Sequence, residues 1–155
     1  MNDTSNLPNL KISIPPLLDE LLARTAIEIA ALLPLPDHTP GIHYRRVAVR
    51  EFGNAVTEHL IYVSEHGYFQ GFFTYFPEHI AYPERYPYPR PKDYQENAGN
   101  FNVWVHRDYR RHGVGTALLT AASERWKIDF SAQDYTWMGA ALVKHFLAKS
   151  CLDEI

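Results

Sequence analysis

The chain has 155 residues, of which 46% are hydrophobic and 14% aromatic, enough for one compact domain with a sizeable core. Its formal net charge of -3 gives no general attraction to nucleic acid or to an anionic membrane surface. No apolar run approaches the roughly 20 residues that a membrane span requires, and the polar segment 1–10 does not resemble a signal peptide.

The cysteine content indicates a reducing compartment. Cys151 is the only cysteine, so an intrachain disulfide is impossible. We therefore expect a cytoplasmic protein whose residues 1–155 form a single domain, and we expect no metal cofactor.

Residues 10–33 carry the first strand and helix signals. Residues 10–14 predict a short strand that Pro15 and Pro16 end, and this proline pair also suits the first turn of a helix. Apolar residues then recur at helical spacing as far as Leu33, where Pro34 follows. The sequence predicts a helix that continues to Leu33.

Residues 43–76 contain the next strand signals. Residues 43–52 are ambiguous, because the segment RRVAVREF fits either a short helix or an edge strand. Residues 58–63 and 68–76 are rich in β-branched and aromatic side chains, and His66 and Gly67 between them suit a tight turn. We predict a β-hairpin for these two segments.

Residues 77–99 form an insertion of unusual composition, with five prolines and four tyrosines. Connections of more than about 15 residues without regular structure are usually functional loops or disordered. The aromatic content argues against disorder. We expect this Pro/Tyr-rich insertion to form a wall or lid over a substrate; a dimer surface, or a loop packed on its own core, are the alternatives.

The second half of the chain predicts a strand at 101–105, a helix at 116–127, a short strand at 128–130 and a final helix at 136–148. One side of the final helix carries Met138, Ala141, Leu142, His145 and Phe146. Because the other members of this side are apolar or small, we expect His145 to be a packed histidine of the core.

The turn after residues 101–105 is rich in arginine and glycine. Gly113 and Gly115 allow backbone conformations and close approaches that other residues resist. The free N–H groups at the start of the following helix, together with the helix dipole, favour a bound anion. Arg107, Arg110 and Arg111 add positive charge. The segment predicts a phosphate-binding site, and the alternative is a surface turn with solvated arginines.

This segment resembles the pyrophosphate-binding signature of the GNAT superfamily of acyl-CoA-dependent N-acyltransferases: Arg or Gln, two residues, Gly, one residue, and Gly or Ala. The matching residues are Arg110, Gly113 and Gly115. The family's preceding pattern, Val-x-Pro-acid-aromatic-Arg, is matched except at its proline, which Arg107 replaces. The detailed match covers about residues 101–127.

The resemblance implies an α/β fold with a GNAT-like mixed, mostly antiparallel sheet flanked by helices. In that fold the fourth and fifth strands splay apart and hold the pantetheine arm of acetyl-CoA. The family usually adds a strand after the last helix, so we expect a sheet truncated at the C-terminal end, and a homodimer or the insertion would cover its open edge. The expected coenzyme-binding residues are Val103, Trp104, Val105, Arg110, Arg111, His112, Gly113, Val114, Gly115 and Thr116.

The implied reaction is acetyl transfer from acetyl-CoA to an amine acceptor, either a small molecule or a protein amino group. Relatives often carry a glutamate base on the fourth strand, where residues 99–102 have none; Glu96 and His106 are the candidate bases. Relatives commonly protonate the thiolate with a tyrosine of the last helix. His145 occupies that position, and Tyr135, just before the helix, is our candidate acid.

Two other functions stay open. A module that binds acyl-CoA or a partner without turnover would be consistent with the missing glutamate. A nucleic-acid-modifying relative could use Arg85, Arg90 and Lys92, which interleave with tyrosines, to bind a single strand. The net negative charge disfavours nucleic acid as a partner.

Overall fold

The computed structural model describes residues 10–12, 17–33, 38–49, 54–81 and 95–153. The elements in chain order are β1 (Lys11–Ile12), α1 (Leu17–Ala30), β2 (Gly41–Val49), β3 (Ala55–Val63), β4 (Phe69–Tyr75), β5 (Ile80–Ala81), β6 (Gln95–Glu96), β7 (Phe101–Val105), α2 (Val114–Arg125), β8 (Asp134–Tyr135) and α3 (Trp137–Asp153). Two short 3₁₀ helices lie at Arg107–Tyr109 and Phe130–Ala132.

Four strands form the central antiparallel sheet in the order β2, β3, β4, β7. The predicted hairpin is present as β3 and β4, and Gly67 in its turn adopts a φ of +83°, which glycine accepts without strain. The ambiguous segment 43–52 contributes to β2, because its backbone pairs with β3 along the whole strand.

Side chains alternate along each strand, so the sheet has two faces, and each face packs against different helices. On one face α1 packs through Leu22, Ala26 and Ile29 against residues that include Ile61 and Trp104. The other face packs against α2 and α3, whose buried members include Leu118, Leu119 and Val143. We call these the α1 face and the α2/α3 face.

Residues 128–130 and the end of α1 differ from the prediction, and α2 (Val114–Arg125) and α3 (Trp137–Asp153) are displaced from the predicted 116–127 and 136–148. Residues 128–130 do not form a strand: the Asp129 carboxylate accepts hydrogen bonds from the Ser131 N–H and hydroxyl, which favours a turn. The strand in this region is β8, which pairs in parallel with β1. α1 ends at Ala30 rather than at Leu33. Leu33 is nevertheless buried, and it lies in a tighter turn in which its own N–H donates to the Ala30 carbonyl.

The ends of the Pro/Tyr-rich insertion pair with each other, because β5 and β6 form a short antiparallel ladder. Residues 82–94 lie outside the described residues, and the expectation of a wall or lid rests mainly on them. Arg85, Arg90 and Lys92 lie in the same segment.

A buried histidine lies within the sheet. His59 of β3 is 5% exposed; its Nε2 lies 2.8 Å from Thr57 Oγ1 and its Nδ1 lies 2.9 Å from Thr74 Oγ1. Burial lowers the pKa of His59 to about 4, because desolvation disfavours the charged imidazolium. The imidazole is therefore neutral at neutral pH.

We expect the free energy of unfolding to fall as the pH drops from about 6.5 to about 4. In this window unfolded His59, with an ordinary pKa of 6.5, binds a proton that the folded imidazole does not bind. The pKa difference corresponds to a contribution of about 3 kcal/mol to the free energy of unfolding. This contribution is fully present above pH 6.5 and is lost as the pH falls toward 4. Urea unfolding of the parent and of His59→Gln at several pH values measures it. An equally steep pH dependence in His59→Gln would assign the effect to other groups.

Candidate functional site

A cleft of about 580 Å³ lies between β7 and β8. The two strands do not pair with each other: β7 pairs with β4, and β8 pairs with β1. Gln133 joins them at one end, where its Oε1 accepts from the Phe101 N–H at 3.3 Å and its Nε2 donates to the Gly99 carbonyl at 3.1 Å. The cleft therefore opens away from Gln133, between residues 102–105 and 134–136.

β7 presents one edge of its backbone to this cleft. The His106 N–H donates to the Gln70 carbonyl at 2.8 Å, and Trp104 and Asn102 lie opposite Phe72 and Thr74 in β4. Hydrogen-bonded pairs alternate along an antiparallel ladder, so the even-numbered residues of β7 bond to β4. The N–H and C=O groups of residues 101, 103 and 105 point toward the cleft.

Within the part of the chain that the structure describes, two of these six edge groups have protein partners, and the other four can pair with a ligand. Gln133 binds the Phe101 N–H, and the Arg110 Nε donates to the Val105 carbonyl at 3.1 Å. The Phe101 C=O, the Val103 N–H and C=O and the Val105 N–H remain along the edge. They form a short row of donors and acceptors that an extended ligand carrying amide groups can pair with.

α2 begins at the open end of the cleft with an anion-binding terminus. Gly113 precedes the helix with a φ of +86° and no side-chain cap bonds to the helix. The Ala117 N–H donates to the Gly113 carbonyl, so the preceding N–H groups of the first turn have no intrahelical acceptor. These free donors and the helix dipole favour a phosphate group.

Gly115 is required by the contact between α2 and α3. A Cβ at this position would lie 2.9 Å from both terminal carbons of Leu142, which also lines the cleft. Any side chain at position 115 would therefore displace Leu142 from the wall of the cleft.

Arg110 connects the end of β7 to the start of α3. Besides its bond to the Val105 carbonyl, its Nη1 lies 3.9 Å from the Met138 Sδ. The side chain is half-buried and lines the cleft, as does exposed Arg111, which adopts a φ of +66°. Both guanidinium groups add positive charge at the end where α2 begins.

The structure brings eight of the ten expected coenzyme-binding residues to the cleft: Val103, Trp104, Val105, Arg110, Arg111, Gly113, Gly115 and Thr116. The other two do not line it. His112 is exposed on the turn, and Val114 is buried in the core at 2% exposure. Consecutive residues of a helical turn point in different directions, so a continuous sequence signature cannot place every member at the ligand.

Among the candidate catalytic residues, Tyr135 lines the cleft but has its hydroxyl engaged. It is 5% exposed, and its hydroxyl donates to the Phe130 carbonyl at 2.6 Å. Burial raises the pKa of Tyr135 well above its ordinary value, with a smaller contribution from the Asp129 charge. A phenol in this state is a weak proton donor.

Neither candidate base lines the cleft. Glu96 is 5% exposed, and its Oε2 accepts a hydrogen bond from the Asn100 Nδ2 at 3.0 Å. His106 caps a 3₁₀ helix, because its Nδ1 accepts from the Asp108 N–H at 3.1 Å.

The expectation that His145 is a core histidine is wrong. His145 is exposed and lines the cleft. The cleft divides α3 into two apolar surfaces: Val143 and Phe146 pack into the core, whereas Met138 and Leu142 face the cleft beside His145. Helical periodicity locates an apolar face but does not distinguish a core from a cleft wall.

Sequence reasoning missed Gln133 and Asn102. Gln133 is 6% exposed, and its role depends on a neighbour 32 positions away. The signal for Asn102 was present, because it is the one polar residue of the strand segment FNVWV. A polar residue within an apolar strand indicates either a solvated position or a site.

Within the described ranges, no three His, Cys, Asp or Glu side chains are placed to hold a metal ion. None of the helices described is long and apolar enough to cross a membrane.

Comparison with known families agrees with this geometry. A family model described as an acetyltransferase (GNAT) domain matches residues 57–150, from β3 to α3, and so spans both strands of the cleft and the start of α2. The chain therefore belongs to the GNAT acetyltransferase family, which uses acetyl-CoA as co-substrate. The predicted fold class is confirmed by the antiparallel four-stranded sheet flanked by helices. Searches of curated proteins and of solved structures found no match.

Proposed function

We propose that this protein is an N-acetyltransferase that transfers the acetyl group of acetyl-CoA to an amine of a small molecule or a protein. One observation carries the proposal: the free edge of β7 and the uncapped start of α2 lie in the same cleft. An elongated ligand with a pyrophosphate at one end and amide groups along its arm can use both at once.

The residues present fit such a ligand. The first turn of α2, with Arg110 and Arg111 beside it, would bind the pyrophosphate. The Val103 and Val105 backbone groups would pair with the pantetheine amides. Met138 and Leu142 supply apolar contacts for the remainder of the arm.

The reaction requires an uncharged amine nitrogen to attack the thioester carbon, after which the C–S bond breaks and the thiolate leaves. A backbone N–H of β7, from Val103 or Val105, would donate to the carbonyl oxygen as negative charge develops there. Because the ladder with β4 already fixes β7, this donor needs no reorganisation during the reaction.

For the proton that the thiolate takes up, His145 fits better than Tyr135. His145 is exposed to the cleft, whereas the Tyr135 hydroxyl donates to a backbone carbonyl and its pKa is raised. For the proton that the amine loses, Glu96 and His106 remain our proposed bases, each acting through water because neither lines the cleft.

We expect at least one simple amine to accelerate thiol release from acetyl-CoA. The panel is spermidine, 2-phenylethylamine, glucosamine and a short peptide with a free N-terminus, and the release of the coenzyme thiol is measured against hydrolysis without amine. Gly115→Glu, which displaces Leu142 and adds a negative charge to the first turn of α2, is the inactive control. Tight acetyl-CoA binding without thiol release for any amine would instead support a binding module.

A further inference from the structure

A row of polar side chains crosses the α1 face of the sheet and ends at the cleft. The strand register places His59 of β3 opposite Thr74 of β4, and Thr74 opposite Asn102 of β7. All three share the face of Ile61, Phe72 and Trp104, because side chains two positions apart point to the same side of a sheet.

Two hydrogen bonds join the buried part of this row. Thr57, His59 and Thr74 are each 4–5% exposed, and the two hydroxyls bond to the two ring nitrogens of His59. A neutral imidazole donates from one nitrogen and accepts at the other, so both hydroxyls hold the ring in one orientation. One hydrogen-bonding position of the Thr74 hydroxyl is used by His59.

Asn102 is the member of the row that reaches the cleft. Asn102 is half-buried and is one of the residues that line the cleft. It has no hydrogen-bond partner among the residues that the structure describes. An amide offers two donors and an acceptor, and in this half-buried position they can bind a ligand in place of water.

Asn102 lies on the side of β7 away from the anion site. The α2 terminus belongs to the α2/α3 face, whereas Asn102 faces α1, whose Leu22 also lines the cleft. If the coenzyme binds from the α2 terminus, a nucleophile has to approach the thioester from the opposite side of the cleft, which belongs to the α1 face. This argument rests on the proposed function.

We propose that Asn102 contacts the attacking amine, with its Oδ1 accepting a hydrogen bond from the amine N–H. His59 is then a positioning residue that acts through Thr74, whose side chain lies directly beside Asn102 in the ladder. The row carries no formal charge at neutral pH, so it suits an amine in its uncharged, nucleophilic form.

The kinetic test uses the panel amine with the highest kcat/KM. Asn102→Ala should lower kcat/KM for the amine about tenfold, the upper range for one neutral hydrogen bond, and change the acetyl-CoA Kd less than about twofold. Asn97→Ala, an exposed asparagine outside the cleft, is the matched control and should behave like the parent. An unchanged kcat/KM in Asn102→Ala would overturn the proposal.

Thr74 separates positioning from a structural role. Thr74→Val removes the hydroxyl at nearly constant shape, and Thr74→Ser keeps it. We expect a loss of about fivefold in kcat/KM for the amine in Thr74→Val and recovery to within about twofold in Thr74→Ser, with acetyl-CoA affinity unchanged in both. A loss of thermal stability in Thr74→Val without any change in kcat/KM would reject the role of His59.

A binding measurement keeps the proposal testable without turnover. The side-chain amide resonance of Asn102, assigned by its absence in Asn102→Ala, is followed in protein saturated with unreactive desulfo-coenzyme A as each panel amine is added. We expect this resonance to shift with at least one amine. If desulfo-coenzyme A binds and the resonance stays in place with all amines, the Asn102 proposal fails and the coenzyme site stands; if desulfo-coenzyme A does not bind, the proposed function itself fails.

Discussion

Gly115→Glu is expected to abolish acetyl-CoA binding while the protein remains folded. The new Cβ would displace Leu142 from the wall of the cleft, and the added carboxylate in the first turn of α2 would repel a phosphate group. An acidic residue in the first turn is favourable for the helix itself, so the loss should be specific to the ligand. For the parent protein, acetyl-CoA at a hundredfold excess over its Kd should raise the free energy of unfolding by about 2.7 kcal/mol. That corresponds to a rise of roughly 5 to 11 °C in Tm, measured by thermal unfolding.

Ser123→Glu provides the matched control, because it adds the same charge at an exposed position near the other end of α2. This variant should keep the full increase in Tm. A parent protein whose Tm does not change at millimolar acetyl-CoA would contradict the coenzyme site as a whole.

Arg110→Ala should weaken acetyl-CoA binding about 10- to 150-fold. The variant loses a charge-assisted hydrogen bond to phosphate, which contributes about 1.5 to 3 kcal/mol. It also loses the link between the Val105 carbonyl and the start of α3, which holds the open end of the cleft. Isothermal titration calorimetry with acetyl-CoA measures the change in Kd.

Two variants separate these contributions. Arg110→Gln keeps a donor that can reach toward the Val105 carbonyl without the charge, and it should bind more tightly than Arg110→Ala. Arg107→Ala removes an exposed arginine of the same turn that does not line the cleft, and its Kd should stay within about threefold of the parent. Equal affinity in Arg110→Ala and the parent would show that this arginine has no role in binding.

The sequence is sufficient to predict the secondary structure wherever local patterns determine it. The β3–β4 hairpin, β7 and the glycine turn before α2 all follow from periodicity and from residues with special backbone preferences. The segment at 43–52 could not be assigned in this way, because only its pairing with a distant strand makes it β2. β8 has two residues, too few for any periodicity to be visible.

The same limit applies to the candidate site. The anion-binding turn is contiguous in sequence and was predicted, whereas the cleft combines Leu22 with the separate segments 101–116 and 134–145. His145 was misassigned because its neighbours in the helix are apolar whether they face the core or the cleft. The polar row could be recognised only once the register of three strands was known.

Gln133 joins the two strands of the cleft at one end only, so the cleft is narrow there and can widen toward its open end. It holds β7 and β8 together at Phe101, and Val105 lies four residues, roughly 13 Å, further along the strand. At that distance a rotation of about 5° between the strands moves the far end by about 1 Å, a displacement that can matter for a reacting group. Under the proposed function, the angle between the two strands affects the width available to an acyl chain. Substitutions at the buried, non-catalytic Gln133 should therefore change acyl-chain selectivity.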